Sequence, residues 1–96
     1  MQWITVVTPP FANLEQFDQV MRQVGAEPDG LHERYVGSTA DGLRVVALWE
    51  SKEHADRFFA DRLGPALAKV LAPEPAGRPD ILGIEVSRSY TRQPVG

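Results

Sequence analysis

The chain has 96 residues, a formal charge of −3 and no cysteine, with ten basic residues against thirteen acidic ones. Without cysteine there is no disulfide, no thiolate metal site and no thiol nucleophile. The basic residues are scattered, which excludes the electrostatic footprint of a nucleic-acid or anionic-membrane binder.

The N-terminus, Met1-Gln-Trp-Ile-Thr-Val-Val-Thr8, has neither the basic region nor the long apolar stretch of a secretion signal. Its apolar run is too short to cross a bilayer, so a soluble, cytoplasmic protein is expected. Length predicts one domain over residues 1–96. A domain this small buries roughly 60–70% of its unfolded surface, and oligomerisation is the common way to enlarge so modest a core.

Trp3 to Val7 is β-rich and apolar on both faces, and Pro9-Pro10 closes it, which predicts the first strand. Asn13 with Gln16 three residues on forms a capping-box pattern. Leu14, Phe17, Met21 and Val24 follow at helical spacing, and Gly25 is placed to end that helix. After the loop Ala26–Gly30, the stretches Leu31–Gly37 and Leu43–Glu50 predict two strands around Asp41-Gly42, a hairpin signal. The register of that hairpin is open, and a slip by one residue would exchange the faces of the strand. With the shortest turn centred on Asp41-Gly42, Glu33 would face Glu50, an unfavourable contact.

Ser51 caps a second predicted helix whose stripe is Ala55, Phe58, Phe59 and Leu63. Gly64-Pro65 is expected to break it and to start a short helix with Leu67, Val70 and Leu71 on its apolar side. Residues 72–80 read as a loop, Ile81–Tyr90 as the last strand, and Thr91–Gly96 as a frayed tail.

The order β-α-β-β-α-(α)-β predicts an α+β, ferredoxin-like domain: a four-stranded antiparallel sheet with helices on one face. Val45, Ala47 and Trp49 alternate with Val46 and Leu48, so the third strand is apolar on both sides. Helices can cover one side only. Pairing two sheets face to face would cover the other, which predicts an obligate homodimer with an interface on the order of 2,000 Å² or more.

The element order, the junction Trp49-Glu-Ser-Lys-Glu and the Phe58-Phe59 helix resemble the dimeric α+β barrel superfamily, and within it the antibiotic-biosynthesis-monooxygenase-like (ABM-like) domains. Leu14-Glu-Gln-Phe-Asp18, Val36–Val46 and Arg57–Leu67 resemble a group of small actinobacterial proteins of that kind. The resemblance covers residues 3–90. It implies a hydrophobic pocket between helices and sheet and, in oxygenase members, cofactor-independent oxygenation of a small aromatic or polyketide-like molecule. Haem-degrading members place a tryptophan, an axial histidine and an asparagine where this chain has Phe58, Ala68 and no strand-one asparagine; its one asparagine, Asn13, is at a helix cap. Haem degradation is therefore not expected, and no cofactor is.

Candidate site residues follow from chemistry. Of the two histidines, His54 falls in a helix first turn and reads as an exposed helix residue, and no spacing suits a metal site. His32 is expected to share a strand face with Arg34 and is the candidate general base, because histidine titrates near neutrality; a partly exposed strand residue is the plainer alternative. Tyr35, Trp49, Phe17 and Phe58 are candidates for an aromatic pocket wall or for simple core packing. Glu85 is a candidate acid or base if it faces the barrel interior, or else a solvated strand residue. No nucleophile elbow, phosphate loop or dinucleotide fingerprint is present.

Overall fold

Trp3–Thr8 forms β1, the strand on which the rest of the sheet is assembled. In a computed structural model, which describes residues 1–11, 13–71 and 79–92, β1 pairs antiparallel with β3 (Gly42–Trp49) on one side and β4 (Asp80–Glu85) on the other. The hairpin partner β2 (Leu31–Thr39) completes a four-stranded sheet of order β2-β3-β1-β4. This is the expected ferredoxin-like arrangement.

The helices form where local chemistry dictates. α1 spans Leu14–Val24; Asn13 caps it, its side-chain oxygen accepting from the Gln16 N–H at 2.8 Å. Gly25, at φ 82°, ends it in a backbone region that a side chain would disfavour. Ser51 caps α2 (Lys52–Phe58). There the Glu53 carboxyl is held below its ordinary value, first by a backbone N–H and then by the Ser51 hydroxyl.

The expected break at Gly64-Pro65 is absent. Instead the helix passes through a π-helical turn, Phe59–Leu63, straight into α3 (Gly64–Leu71). Widening the turn lets the Gly64 N–H reach the Phe59 carbonyl, so the chain absorbs Pro65 without a break. The same turn directs Arg62 to the end of α1, where its guanidinium donates to the Val24 and Ala26 carbonyls at 2.5 and 2.6 Å.

Two boundaries also moved. β4 stops at Glu85 rather than Tyr90, because its partner β1 runs out: Glu85 already lies opposite Trp3, and one further bond joins the Val86 N–H to the Gln2 carbonyl. The hairpin turns one residue earlier than Asp41-Gly42. Thr39 pairs with Gly42 around Ala40-Asp41, and the Thr39 hydroxyl accepts from the Asp41 N–H and donates to the Gly42 carbonyl. Glu33 consequently faces Leu48, and the feared contact with Glu50 does not arise. Of the expected loop over 72–80 and the frayed tail over 91–96, residues 72–78 and 93–96 lie outside the described residues.

Alternation then sorts the sheet into two faces. Thr5, Val7, Ala47 and Trp49 point toward the helices and are buried with Val20, Ala55, Phe58, Leu63, Ala66 and Leu67. Trp3 shares that face, its ring lying where a side chain on Gly83 would stand. The opposite face carries Ile4, Val6, Val46, Leu48, Leu82 and Ile84, half-buried or exposed, with Glu33, Tyr35, Arg44 and Asp80 toward its margins.

Candidate functional site

Trp49 ends β3 at the centre of the molecule, opposite Trp3 on one neighbour and Leu31 on the other. Its side chain is 1% exposed. The ring packs on Phe58 at 5.3 Å and on Phe59 at 6.1 Å between centroids, a tilted and an edge-on contact. A buried indole N–H needs an acceptor. It donates to the hydroxyl of Thr5 at 3.0 Å, and Thr5 is itself buried, the one polar residue on the helix-facing side of β1 between Trp3 and Val7.

Between this cluster and α1 runs a crevice bounded by Thr5, Phe17, Met21, Arg34, Trp49 and Phe58, with Pro9, Pro10, Phe11 and Pro79 at its rim. Its cavity volume is about 40 Å³, and the recess counted with the open solvent at its mouth measures about 490 Å³. Apart from Thr5 and Arg34 every described residue lining it is apolar.

Arg34 reaches the crevice because of β2's register. It pairs with Ala47 and so shares the helix-facing side with Leu31 and Val36. Its guanidinium carbon lies 5.8 Å from the Phe58 ring centroid, a cation–π placement. Nη1 contacts the Glu27 carboxylate at 3.2 Å. Nη2 is sealed from solvent and has no hydrogen-bond partner among the described residues.

The residues singled out from the sequence separate into two groups. Phe17, Trp49 and Phe58 come together in the crevice wall. His32, Tyr35 and Glu85 do not line it. Tyr35 stands opposite Val46 on the open face, 62% exposed, and its hydroxyl donates to Glu33 at 3.1 Å. That bond and the carboxylate charge raise the phenol's pKa.

His32 sits in a β-bulge between Leu31 and Glu33, which interrupts the strict alternation expected to relate it to Arg34. Its Nε2 lies 2.7 Å from the Glu50 carboxylate, and both side chains are exposed. Glu85 faces the helix side of the sheet but at its exposed outer edge. His54, expected to be exposed, is half-buried: its ring packs over Gly30, and Nδ1 exchanges a hydrogen bond with the Ser51 hydroxyl at 2.7 Å. Among the described residues no group of His, Asp or Glu could hold a metal ion, and no helix is long and apolar enough to cross a membrane.

Thr5 was overlooked and Arg34 was noticed only as a neighbour of His32. A signal for Thr5 existed: a lone hydroxyl inside an apolar strand needs a partner, and Trp49 is the residue with a polar handle to offer. Replacing Thr5 with valine should cost about 1–3 kcal/mol, since a buried N–H loses its acceptor, and urea unfolding followed by circular dichroism measures it. The pair Thr5→Val with Trp49→Phe should recover part of that loss, because removing both partners leaves neither unsatisfied.

No protein-family model and no curated protein sequence matches the chain. Solved structures do. A monooxygenase from the gene ActVA-Orf6 of Streptomyces coelicolor, in complex with nanaomycin D, superposes with a TM-score of 0.57 at 20% identity, over 96% of this chain and 92% of that one. SnoaB, a cofactor-independent oxygenase from Streptomyces nogalater, matches with a TM-score of 0.56 at 15% identity, over 92% and 93% of the two chains. NE2512, a protein of unknown function from Nitrosomonas europaea, matches with a TM-score of 0.62 at 14% identity, over 99% and 95%. At such identities the likeness speaks for the fold. A four-stranded antiparallel sheet with helices on one face, matched over nearly its whole length by these chains, is the fold this protein shares with the ActVA-Orf6 monooxygenase, SnoaB and NE2512.

Proposed function

We propose that the protein works as a homodimer, its two open sheet faces packed together, and that the crevice of each protomer takes a small aromatic or polyketide-like molecule. The observation that carries this reading is the crevice itself: an aromatic wall of Trp49, Phe58 and Phe17 with two polar groups placed in it. The fold shared with ActVA-Orf6 and SnoaB supports cofactor-independent oxygenation as the reaction.

In such a reaction the substrate supplies the electrons. An acidic C–H next to a phenol or carbonyl loses its proton, and the resulting carbanion passes one electron to O₂. The radical pair joins as a peroxide anion on carbon, which takes up a proton from solvent to become a hydroperoxide. Loss of water then leaves a carbonyl, so a CH₂ group and O₂ become C=O and H₂O. The protein's part is to hold the anion in an apolar enclosure, where one fixed charge acts strongly. His32 is not given the base role, because it lies outside the crevice. The proton leaves through the mouth to solvent.

The test uses 1,8-dihydroxyanthrone as probe, with a metal chelator present and no cofactor added. Oxygen uptake that scales with protein, one O₂ per quinone formed, is the expected result. A second reading, a non-catalytic ligand-binding module, is favoured by one observation: no described crevice residue is a carboxylate or an imidazole. Binding of the anthrone without protein-dependent oxygen uptake would decide for it.

A further inference from the structure

The guanidinium of Arg34 is more deeply placed than its chemistry warrants. Its side chain is 16% exposed, whereas its ion-pair partner Glu27 is 73% exposed and largely solvated. Such a pair contributes little to stability and does not explain why the arginine is drawn inward. Glu27 engages Nη1. Nη2 is left with its hydrogens undonated among the described residues, in a place water does not reach. A buried polar nitrogen without a partner is costly, and each such group in a folded protein calls for a reason. The face of Phe58 offsets part of the cost but offers no lone pair.

Its position supplies the reason. Arg34 is the one charged side chain among the described residues lining the crevice, and Trp49 and Phe58 form the wall beside it. A planar ligand lying against those rings would bring a substituent within reach of the guanidinium. Arginine presents donors in a fixed fork suited to carboxylates and other paired oxygens. In an enclosure this apolar, a neutral substituent would leave the charge as it is, while an anionic oxygen would complete it.

We infer that Arg34 is an anion-anchoring residue, and that the crevice selects planar aromatic molecules bearing an acidic oxygen (a carboxylate, phenolate or enolate) over neutral ones of the same shape. The inference rests on the reading of the crevice as a ligand site. It adds the charge class of the ligand and the residue that reads it. A cation beside the anchored group also favours ionisation of a phenol or enol, which is the form that reacts with O₂.

The test is binding rather than turnover, so it separates from the oxygenase reading. Affinities of the full-length protein for 2-naphthoate and for 2-naphthamide, which share a ring system and differ in charge, are measured by isothermal titration at pH 7.5. The wild type should bind naphthoate at least tenfold more tightly. Arg34→Met should remove that preference and leave naphthamide affinity within about twofold. Arg34→Lys should retain part of it, since it keeps the charge and loses the fork.

Equal affinities for the two probes in the wild type, or no binding of either, overturn the inference without recourse to any variant. So does a preference that survives in Arg34→Met. Selective naphthoate binding combined with no oxygen uptake on the anthrone would instead sink the oxygenase reading and leave the anchor standing.

Discussion

Replacing Trp49 with alanine should lower the free energy of unfolding by about 3–5 kcal/mol, the range for truncating a large buried aromatic. Against a total of about 5–15 kcal/mol for a small domain, that is about a fifth of the stability or more. The residue is 1% exposed and stands where β1, β2 and β3 meet the helices, so the cavity left behind has walls on every side. Phe58 and Phe59 would each lose a ring contact, and the Thr5 hydroxyl would lose its donor. Regular strands to either side limit how far the site can collapse, which is what makes such cavities expensive. Trp49→Phe separates the two contributions, keeping most of the ring and removing the indole N–H; its loss should be well under half that of alanine. Urea titrations of the three proteins, compared at their midpoints, give the answer. An alanine variant within about 1 kcal/mol of wild type would mean that Trp49 is not the keystone of this core.

For the face-to-face dimer proposed above, charging the open sheet face should convert dimer to monomer. Val46 lies in the middle of that face, opposite Val6 on β1 and Tyr35 on β2, with Leu82 and Ile84 further along toward the edge. The described residues of β1, β3 and β4 leave it apolar across most of its width, the kind of surface a second copy would cover. In a symmetric pairing each protomer brings the same residue, so Val46→Glu places two unpaired carboxylates in one interface. The cost, about 3–5 kcal/mol for burying a charge without a partner, corresponds to a dimer weaker by roughly 10²-fold to several thousandfold. Leu14→Glu is the control: Leu14 is exposed too, but on α1 at the far side of the sheet, and its replacement should change nothing. Sedimentation velocity at micromolar concentration reads all three proteins. A wild type that sediments as a monomer would remove the basis for the face-to-face dimer. A Val46→Glu protein that stays dimeric would move the interface elsewhere.

The two experiments probe opposite sides of one strand, and they show where inference from sequence was secure. Val45, Ala47 and Trp49 alternate with Val46 and Leu48, and alternation alone implied that both sides of β3 need cover. The helix-facing side carries the aromatic cluster, as the spacing of Phe58 and Phe59 implied. Phe17, Trp49 and Phe58 line the crevice because each belongs to a periodic stripe whose direction is set by its own element. Tyr35 and His32 belong to a strand whose orientation depends on another strand's pairing. A bulge between Leu31 and Glu33 interrupts that strand's alternation, and no local pattern records it.

What the sequence by itself determined about this protein is local: the caps at Asn13 and Ser51, the helix end at Gly25, the two-sided apolar strand and the β-α-β-β-α-α-β order. These rest on interactions between residues a few positions apart, which a linear pattern records. The tertiary structure alone decided that the hairpin turns at Ala40-Asp41, that a bulge carries His32 out to Glu50, and that Pro65 is absorbed in a π-helical turn. By those decisions Arg34 came to stand against Phe58 with one nitrogen unpartnered. The physical reason is that each depends on contacts between residues far apart in sequence, which no local preference records, and only the packed structure chooses among the alternatives.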